Sequence, residues 1–188
     1  MPTEFPLPDD LPVPEDDGAA DHLRGAELVD VSLPATDGAA VALRELPPRT
    51  VIYVYPLTGR PETDVIPDGW EDVPGARGCT PESRGFQSRY EELRDEGVGE
   101  VFGLSTQSVE YQREARDRLQ LPFEMLSDAE WELADELDLP TFAIGGDEYL
   151  KRVTLVVSDG RIERVFYPIF PPDEHASEVL EWVRDNPR

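Results

Sequence analysis

The single cysteine of the chain, Cys79, is the residue whose type and setting most clearly indicate chemistry. It stands in the stretch PGARGCTPESRGF, where Thr80 suits a helix cap and Pro81 a first helical position. A helix N-terminus presents unpaired N–H groups and a partial positive charge, and both favour thiolate over thiol. We therefore expect the pKa of Cys79 to be lowered, with Arg77 and Arg84 adding to the effect. The alternative is a small buried hydrophobe, as free cysteines often are.

The count of cysteines and histidines limits what else the chain can do. One cysteine excludes an intrachain disulfide, and with only His22 and His175 an ordinary Cys/His zinc site is excluded too. His22 falls in an acidic segment and His175 in the last predicted helix, so both are expected at the surface.

The charge of the chain is strongly negative. Its 41 Asp and Glu against 17 Lys and Arg give a formal net charge of −24. Such a surface repels nucleic acid and anionic lipid, so neither is expected as a partner. A salty cell interior and a GC-biased genome would both produce this composition, and the choice between them stays open.

The length of 188 residues predicts one domain with a tail. Residues 1–25 are acidic and rich in proline, and they are predicted to be flexible or loosely draped because they offer little apolar surface. Residues 26–188 form the predicted domain. The N-terminal stretch has neither a basic end nor an apolar core, and no apolar run approaches the ~20 residues of a membrane span. A cytoplasmic location is expected.

Apolar runs and turn residues predict an α/β fold with a mixed central sheet flanked by helices on both faces. The segment 57–78 is broken by proline and glycine, and so long a loop is often functional. Trp70 lies in it, and pocket and packing roles are both open for that side chain. The predicted order is a hairpin within 27–46, a strand at 50–56, the loop, a helix from Thr80 to Gly97, a strand at 100–106, two helices, two strands at 152–157 and 161–169, and a last helix.

Several of these segments, in this order, resemble the peroxiredoxins of the AhpC/TSA family. The pairing of YVYP with GCTPES looks like the strand proline and cysteine motif of the bacterioferritin-comigratory-protein branch, also called peroxiredoxin Q. VFGLST, LPFEMLSDAEWELADELDL and KRVTLVVSDGRIERVF resemble later segments of that branch. The similarity covers roughly residues 26–185. Several motifs in the family's order are more specific than any one motif alone.

The resemblance implies a thioredoxin-like fold and the reduction of hydrogen peroxide or organic hydroperoxides by thiols, without a cofactor. It makes Cys79 the peroxidatic nucleophile and Arg152 the arginine that orients thiolate and peroxide. Pro56 becomes the proline that shields the pocket. Because the family often dimerises, a homodimer is a further expectation.

Two departures from the family pattern bear on the mechanism. The family spacing is Pro-x-x-x-Thr-x-x-Cys, but here 22 residues separate Pro56 from Cys79, and Ala76 stands where the threonine belongs. We hypothesise that the long loop supplies another hydroxyl, with Thr58 as first candidate and Thr63 as second. The alternative is that both are ordinary polar loop residues.

The second departure is the missing resolving cysteine, since Arg84 holds the position five residues after Cys79. The chain therefore resembles a one-Cys enzyme whose sulfenic acid is reduced by an external thiol such as thioredoxin, glutaredoxin or a low-molecular-weight thiol. An alternative reading is a redox-sensing or binding protein whose catalysis is weak because the motif threonine is missing. The absence of a Cys-x-x-Cys motif disfavours a thioredoxin-type disulfide reductase.

Overall fold

The fold is organised around a mixed β-sheet. The structure is a computed structural model that describes residues 7–61 and 65–188. In chain order the strands and helices are β1 (Ser32–Pro34), β2 (Ala40–Ala42), β3 (Thr50–Val54), α1 (Cys79–Asp95), β4 (Glu100–Ser105), α2 (Val109–Leu119), β5 (Met125–Ser127), α3 (Glu132–Leu137), β6 (Thr141–Ile144), β7 (Asp147–Leu150), β8 (Val153–Ser158), β9 (Arg161–Phe166) and α4 (His175–Asp185).

The central sheet has five strands in the order β5-β4-β3-β8-β9. β3 runs parallel to β4 and antiparallel to β8, and β4 is parallel to β5 while β9 is antiparallel to β8. All five residues of β3 are buried, as its nearly continuous apolar sequence predicts for a strand covered on both faces. The predicted α/β fold with a mixed central sheet is confirmed.

Two hydrophobic cores lie on opposite faces of this sheet. Val51 and Tyr53 of β3 belong to the core that also contains side chains of α1 and α4. Ile52 and Val54 alternate to the other face and join the core that includes α3. β3 therefore separates the two cores, and the residues just beyond its C-terminal end lie against α1.

Helix α1 begins two residues before the predicted first helical position, Pro81. Cys79 is its first residue, and Gly78, not Thr80, occupies the cap position with φ of 114°. Left-handed backbone of this kind suits glycine, because a side chain would crowd the next carbonyl. Pro81 still falls in the first turn, where a backbone N–H would have no acceptor within the helix, so proline loses no hydrogen bond there. The start of α1 is thus fixed by a backbone conformation rather than by a side-chain cap.

Three short strands were not predicted from the sequence. β5 has three residues, and β6 and β7 form a hairpin of four residues each. The hairpin packs against the long loop, because Trp70 lies 5.5 Å from the ring of Phe142 and 5.1 Å from that of Tyr149. Of the two roles left open for Trp70, the structure shows packing against this hairpin.

The described part of the N-terminal segment, residues 7–25, lies against the domain. Ala20 and Leu23 are buried in the core on the α3 face, and Leu23 is 0% exposed. Asp17 accepts hydrogen bonds from Lys151 at 2.8 Å and from the Tyr167 hydroxyl at 2.7 Å. Because of these contacts, residues 7–25 are held against the domain, which the polar sequence did not suggest. The domain boundary at residue 25 stays a prediction. Within the described residues, no helix is long and apolar enough to cross a membrane.

Candidate active site

Cys79 lies where β3, the long loop and the start of α1 meet. Its side chain is 4% exposed, and its thiol donates a 3.8 Å hydrogen bond to the carbonyl of Ala76. The backbone N–H of Leu57, just beyond β3, also hydrogen-bonds with the sulfur. The sulfur therefore has a backbone donor on one side and a backbone acceptor on the other.

Arg152 is brought to this sulfur by the register of the sheet. β3 and β8 pair Val54 with Val153, so the residue before β8 lies beside the C-terminal end of β3. The Nη2 of Arg152 is 3.3 Å from the sulfur and 3.1 Å from the carbonyl oxygen of Ala76, and its Nε donates to the carbonyl of Gly75 at 3.3 Å. The guanidinium is thus held at the sulfur by the backbone of the loop.

Glu82 completes the buried group, a role that was not predicted from the sequence. Its side chain is 0% exposed and forms an ion pair with Nη1 of Arg152. Its Oε1 has no hydrogen-bond partner among the described residues. The spacing was a usable signal, since residues i and i+3 share one face of a helix and Glu82 follows Cys79 by three.

Burial dominates the electrostatics of the group. It raises the pKa of the Cys79 thiol, and the charge of Glu82 adds to this, although Arg152 and the Leu57 N–H act in the opposite direction. The expectation of a lowered pKa is therefore wrong for this geometry. Burial also raises the pKa of Glu82, against the attraction of Arg152. Burial alone would lower the pKa of Arg152, but Glu82 and Cys79 outweigh it and raise that pKa.

The two arginines expected to assist Cys79 have other partners. Arg77 forms an ion pair with Glu71 in the loop. Arg84 donates to the side chain of Gln87 and to the carbonyl of Leu119. The cation that acts on the sulfur is instead Arg152, which is distant from Cys79 in the sequence.

Pro56 and Thr58 flank Leu57, the residue whose N–H reaches the sulfur. Pro56 is buried at the end of β3, and Thr58 is 2% exposed. The Thr58 hydroxyl is within hydrogen-bonding reach of the Tyr55 phenol, whose pKa is raised by burial. Thr58 therefore lies next in sequence to Leu57, the residue whose backbone N–H contacts the Cys79 sulfur. Thr63 lies outside the described residues.

His175 is buried, contrary to the expected surface position. Its ring lies between Phe86 and Phe166, with centroids 5.8 and 5.4 Å away. One ring nitrogen is 2.8 Å from the Thr154 hydroxyl and the other 3.0 Å from Glu178. The helix that carries His175 packs against α1, so its first turn is covered. His22 is exposed as expected.

The fold and this site define a class: a thioredoxin-like α/β protein with a buried cysteine–arginine pair at a helix start. The model of the AhpC/TSA family matches residues 73–165, a span that contains both Cys79 and Arg152. Over that span, which is just under half of the chain, the sequence is similar to the AhpC/TSA family, as the sequence motifs indicated. No group of three or more metal-binding side chains occurs in the parts of the chain that the structure describes.

The relatives carry peroxiredoxin names. A chloroplastic peroxiredoxin Q of Oryza sativa is 27% identical over 160 residues, which is 84% of this chain and 65% of the relative. The chain thus spans about two thirds of that protein. A chloroplastic peroxiredoxin Q of Sedum lineare is 26% identical, over 86% of this chain and 77% of the relative.

Solved structures confirm the thioredoxin-like peroxiredoxin fold. Peroxidoxin BcpB from Mycobacterium tuberculosis superposes with a TM-score of 0.70 at 23% identity, covering 88% of this chain and 98% of that one. Peroxiredoxin Q from Xanthomonas campestris superposes with a TM-score of 0.66 at 22% identity, covering 94% and 97%. At this level of identity the match concerns the fold.

Proposed function

We propose that the protein is a thiol-dependent peroxidase that reduces hydrogen peroxide or organic hydroperoxides through Cys79. The observation that carries the proposal is the 3.3 Å contact between the Arg152 guanidinium and the Cys79 sulfur in a buried site. A fixed cation beside the sulfur can stabilise both the thiolate and the negative charge that develops on the departing oxygen. The peroxiredoxin names of the relatives support the same reaction.

The proposed reaction has two balanced steps. The Cys79 thiolate attacks one oxygen of the hydroperoxide, an S–O bond forms, the O–O bond breaks, and the leaving oxygen takes up a proton to give water or an alcohol. The sulfenic acid then reacts with one external thiol to give a mixed disulfide and water. A second thiol releases Cys79 as a thiol together with an external disulfide. The external thiol is thioredoxin, glutaredoxin or a low-molecular-weight thiol.

The positions around the sulfur suggest the role of each group. The Leu57 N–H and Arg152 Nη2 are the donors directed at the reacting centre. Ala76 offers only a backbone carbonyl where the family pattern has a threonine, so any hydroxyl must come from elsewhere. Thr58 is the described hydroxyl that we assign to this task, and Pro56 covers the same edge of the site.

A second candidate function, redox sensing with weak catalysis, is favoured by the burial of Cys79, which is 4% exposed and whose thiol pKa is raised by that burial. One experiment separates the two. The purified protein is mixed with micromolar hydrogen peroxide, quenched with dimedone at increasing times, and analysed by mass spectrometry. Rapid dimedone labelling of Cys79 supports the peroxidase, and oxidation at the rate of an ordinary thiol rejects it.

A screen of the three kinds of external thiol for turnover would then identify the reductant. The assay follows loss of hydroperoxide with each reductant in excess. The proposed homodimer is tested separately by light scattering after size-exclusion chromatography. A mass of 21.1 kDa would reject it.

A further inference from the structure

The N-terminal segment runs along the backbone that leads into Cys79. A Cβ placed on Gly78 would lie 3.3 Å from the Leu7 side chain, and one on Gly75 would lie 3.5 Å from Pro14. Gly75 and Gly78 belong to the loop that holds Arg152 and ends at Cys79. Residues 7–14 therefore cover the loop just outside the buried sulfur.

The same segment forms one wall of a pocket beside Arg152. This pocket has a volume of about 280 Å³, and Pro14 and Glu15 line it together with Lys151, Arg152 and Tyr167. Since Arg152 also contacts the Cys79 sulfur, the pocket leads to one side of the reactive pair. A substrate that enters here passes the side chains of the N-terminal segment first.

Ion pairing fixes the segment at this position. Asp17 accepts hydrogen bonds from Lys151 and from the Tyr167 hydroxyl, and both of these residues line the pocket. These contacts hold the pKa of Asp17 well below its usual range, so it stays ionised at physiological pH. Lys151 is the only lysine of the chain, and its charge is matched by Asp17.

The remaining charges at the mouth are negative. The charge of Arg152 is balanced by Glu82 and that of Lys151 by Asp17. Glu15, which lines the pocket, and Asp16, which is close enough to the pocket residue Tyr167 to act on it electrostatically, are both exposed. Within residues 7–61 and 65–188, the Asp16 carboxylate accepts a hydrogen bond from the backbone N–H of Gly18. Among the described residues neither carboxylate forms an ion pair, so the pocket wall carries the charge of Glu15, and that of Asp16 lies beside it, in a chain that is already strongly acidic.

We infer that residues 7–17 set the substrate specificity of the Cys79 site, selecting uncharged hydroperoxides over anionic ones through Glu15 and Asp16. The inference rests on the proposed peroxidase function. Two carboxylates about 8 Å from an incoming carboxylate slow its approach roughly fivefold at low salt and about twofold at physiological ionic strength. An uncharged hydroperoxide is not subject to this repulsion.

The test uses a matched pair of substrates: a short-chain tertiary hydroperoxide that carries a carboxylate, and the methyl ester of the same molecule. Rate constants for Cys79 oxidation are measured for both by quenched flow with dimedone trapping. In the wild-type chain the ester should react faster than the acid. In Glu15→Gln/Asp16→Asn the ester-to-acid ratio should fall about fivefold at low salt and about twofold at physiological ionic strength, and the two proteins should converge near 1 M salt.

A control variant carries the same loss of two charges far from the pocket. Glu91→Gln/Asp95→Asn changes exposed residues in the last turns of α1, about 18 Å or more along the helix from Cys79. This control should keep the wild-type ratio. An unchanged ratio in the Glu15/Asp16 variant, or an equal change in the control, overturns the inference. The rate with hydrogen peroxide reports on the proposed function alone, so the two failures are distinguishable.

Discussion

Replacement of Arg152 by methionine tests the central contact of the proposed mechanism. The variant removes the Nη2 donor that lies 3.3 Å from the sulfur and leaves the backbone donor of Leu57 in place. A hydrogen bond from a charged donor is worth about 1.5–3 kcal/mol, and each 1.36 kcal/mol in the barrier is tenfold in rate. Oxidation of Cys79 should therefore slow by about ten- to 150-fold.

The same substitution has a cost in stability that must be separated from the effect on chemistry. Without Arg152, the buried Glu82 loses its ion-pair partner, and breaking such a pair costs about 3–5 kcal/mol of folding free energy. The double variant Arg152→Met/Glu82→Leu replaces the pair by apolar groups, which is often close to neutral. The double variant should regain stability in urea denaturation but not the rate of oxidation.

The assay follows dimedone-trapped Cys79 by mass spectrometry after rapid mixing with hydrogen peroxide, which is unambiguous because the chain has one cysteine. Arg49→Met is the matched control, because Arg49 is also buried and pairs with Glu163 at 2.8 Å. Arg49 directly precedes β3, whereas Arg152 lies beside the C-terminal end of β3, roughly 20 Å away. The control should lose stability and keep the rate. A wild-type rate in the double variant would refute the role given to Arg152.

Three further predictions concern the same site. Burial raises the pKa of Cys79 above its unfolded value of about 8.5, so the free energy of unfolding should decline as pH rises through the folded-state pKa. Cys79→Ser should abolish that decline in pH-dependent urea titrations, and the rate of Cys79 oxidation should still be rising above pH 7. A rate plateau below pH 7 would contradict this assignment. Gly78→Ala adds a side chain against a neighbouring proline at a φ of 114°, whereas Gly38→Ala adds one in open space and costs about 1–2 kcal/mol for backbone strain alone. Gly78→Ala should therefore destabilise the folded protein more than Gly38→Ala does, as measured by thermal unfolding. Thr58→Val should slow peroxide reduction at least tenfold if its hydroxyl assists the reaction, whereas Thr50→Val, at the opposite end of β3, should not; equal rates would discard Thr58.

The main elements were predictable because each is encoded locally. The apolar run at β3 and the helical spacing of Phe86 and Leu93 in α1 are enough to assign strand and helix, and the cysteine falls between them in both sequence and structure. The short hairpin β6–β7 was not predictable in this way, because its packing partner Trp70 comes from a loop some 70 residues earlier.

Burial of residues that stand in polar stretches of the chain was the main feature that the sequence concealed. His175 opens a helix with polar neighbours, yet contacts from Phe86 and Phe166 enclose it. Similarly, Leu23 lies in an acidic segment, and only the assembled domain provides the core that it enters. In each case the covering groups come from distant parts of the chain, so a local pattern carries no record of them.

The pKa of Cys79 shows why local context was insufficient for the chemistry as well. A helix N-terminus stabilises an adjacent negative charge by typically 0.3–1 kcal/mol, whereas burying an ion costs several kcal/mol. Arg152 could offset much of that cost, but its guanidinium is shared with the carboxylate of Glu82, which the same helix places three residues after the cysteine. The buried group is neutral overall as thiol, guanidinium and carboxylate, and gains a net negative charge when the thiol ionises. Burial therefore outweighs the helix terminus at Cys79, and the contribution of Arg152 must come largely from the transition state, where charge moves from sulfur to the departing oxygen.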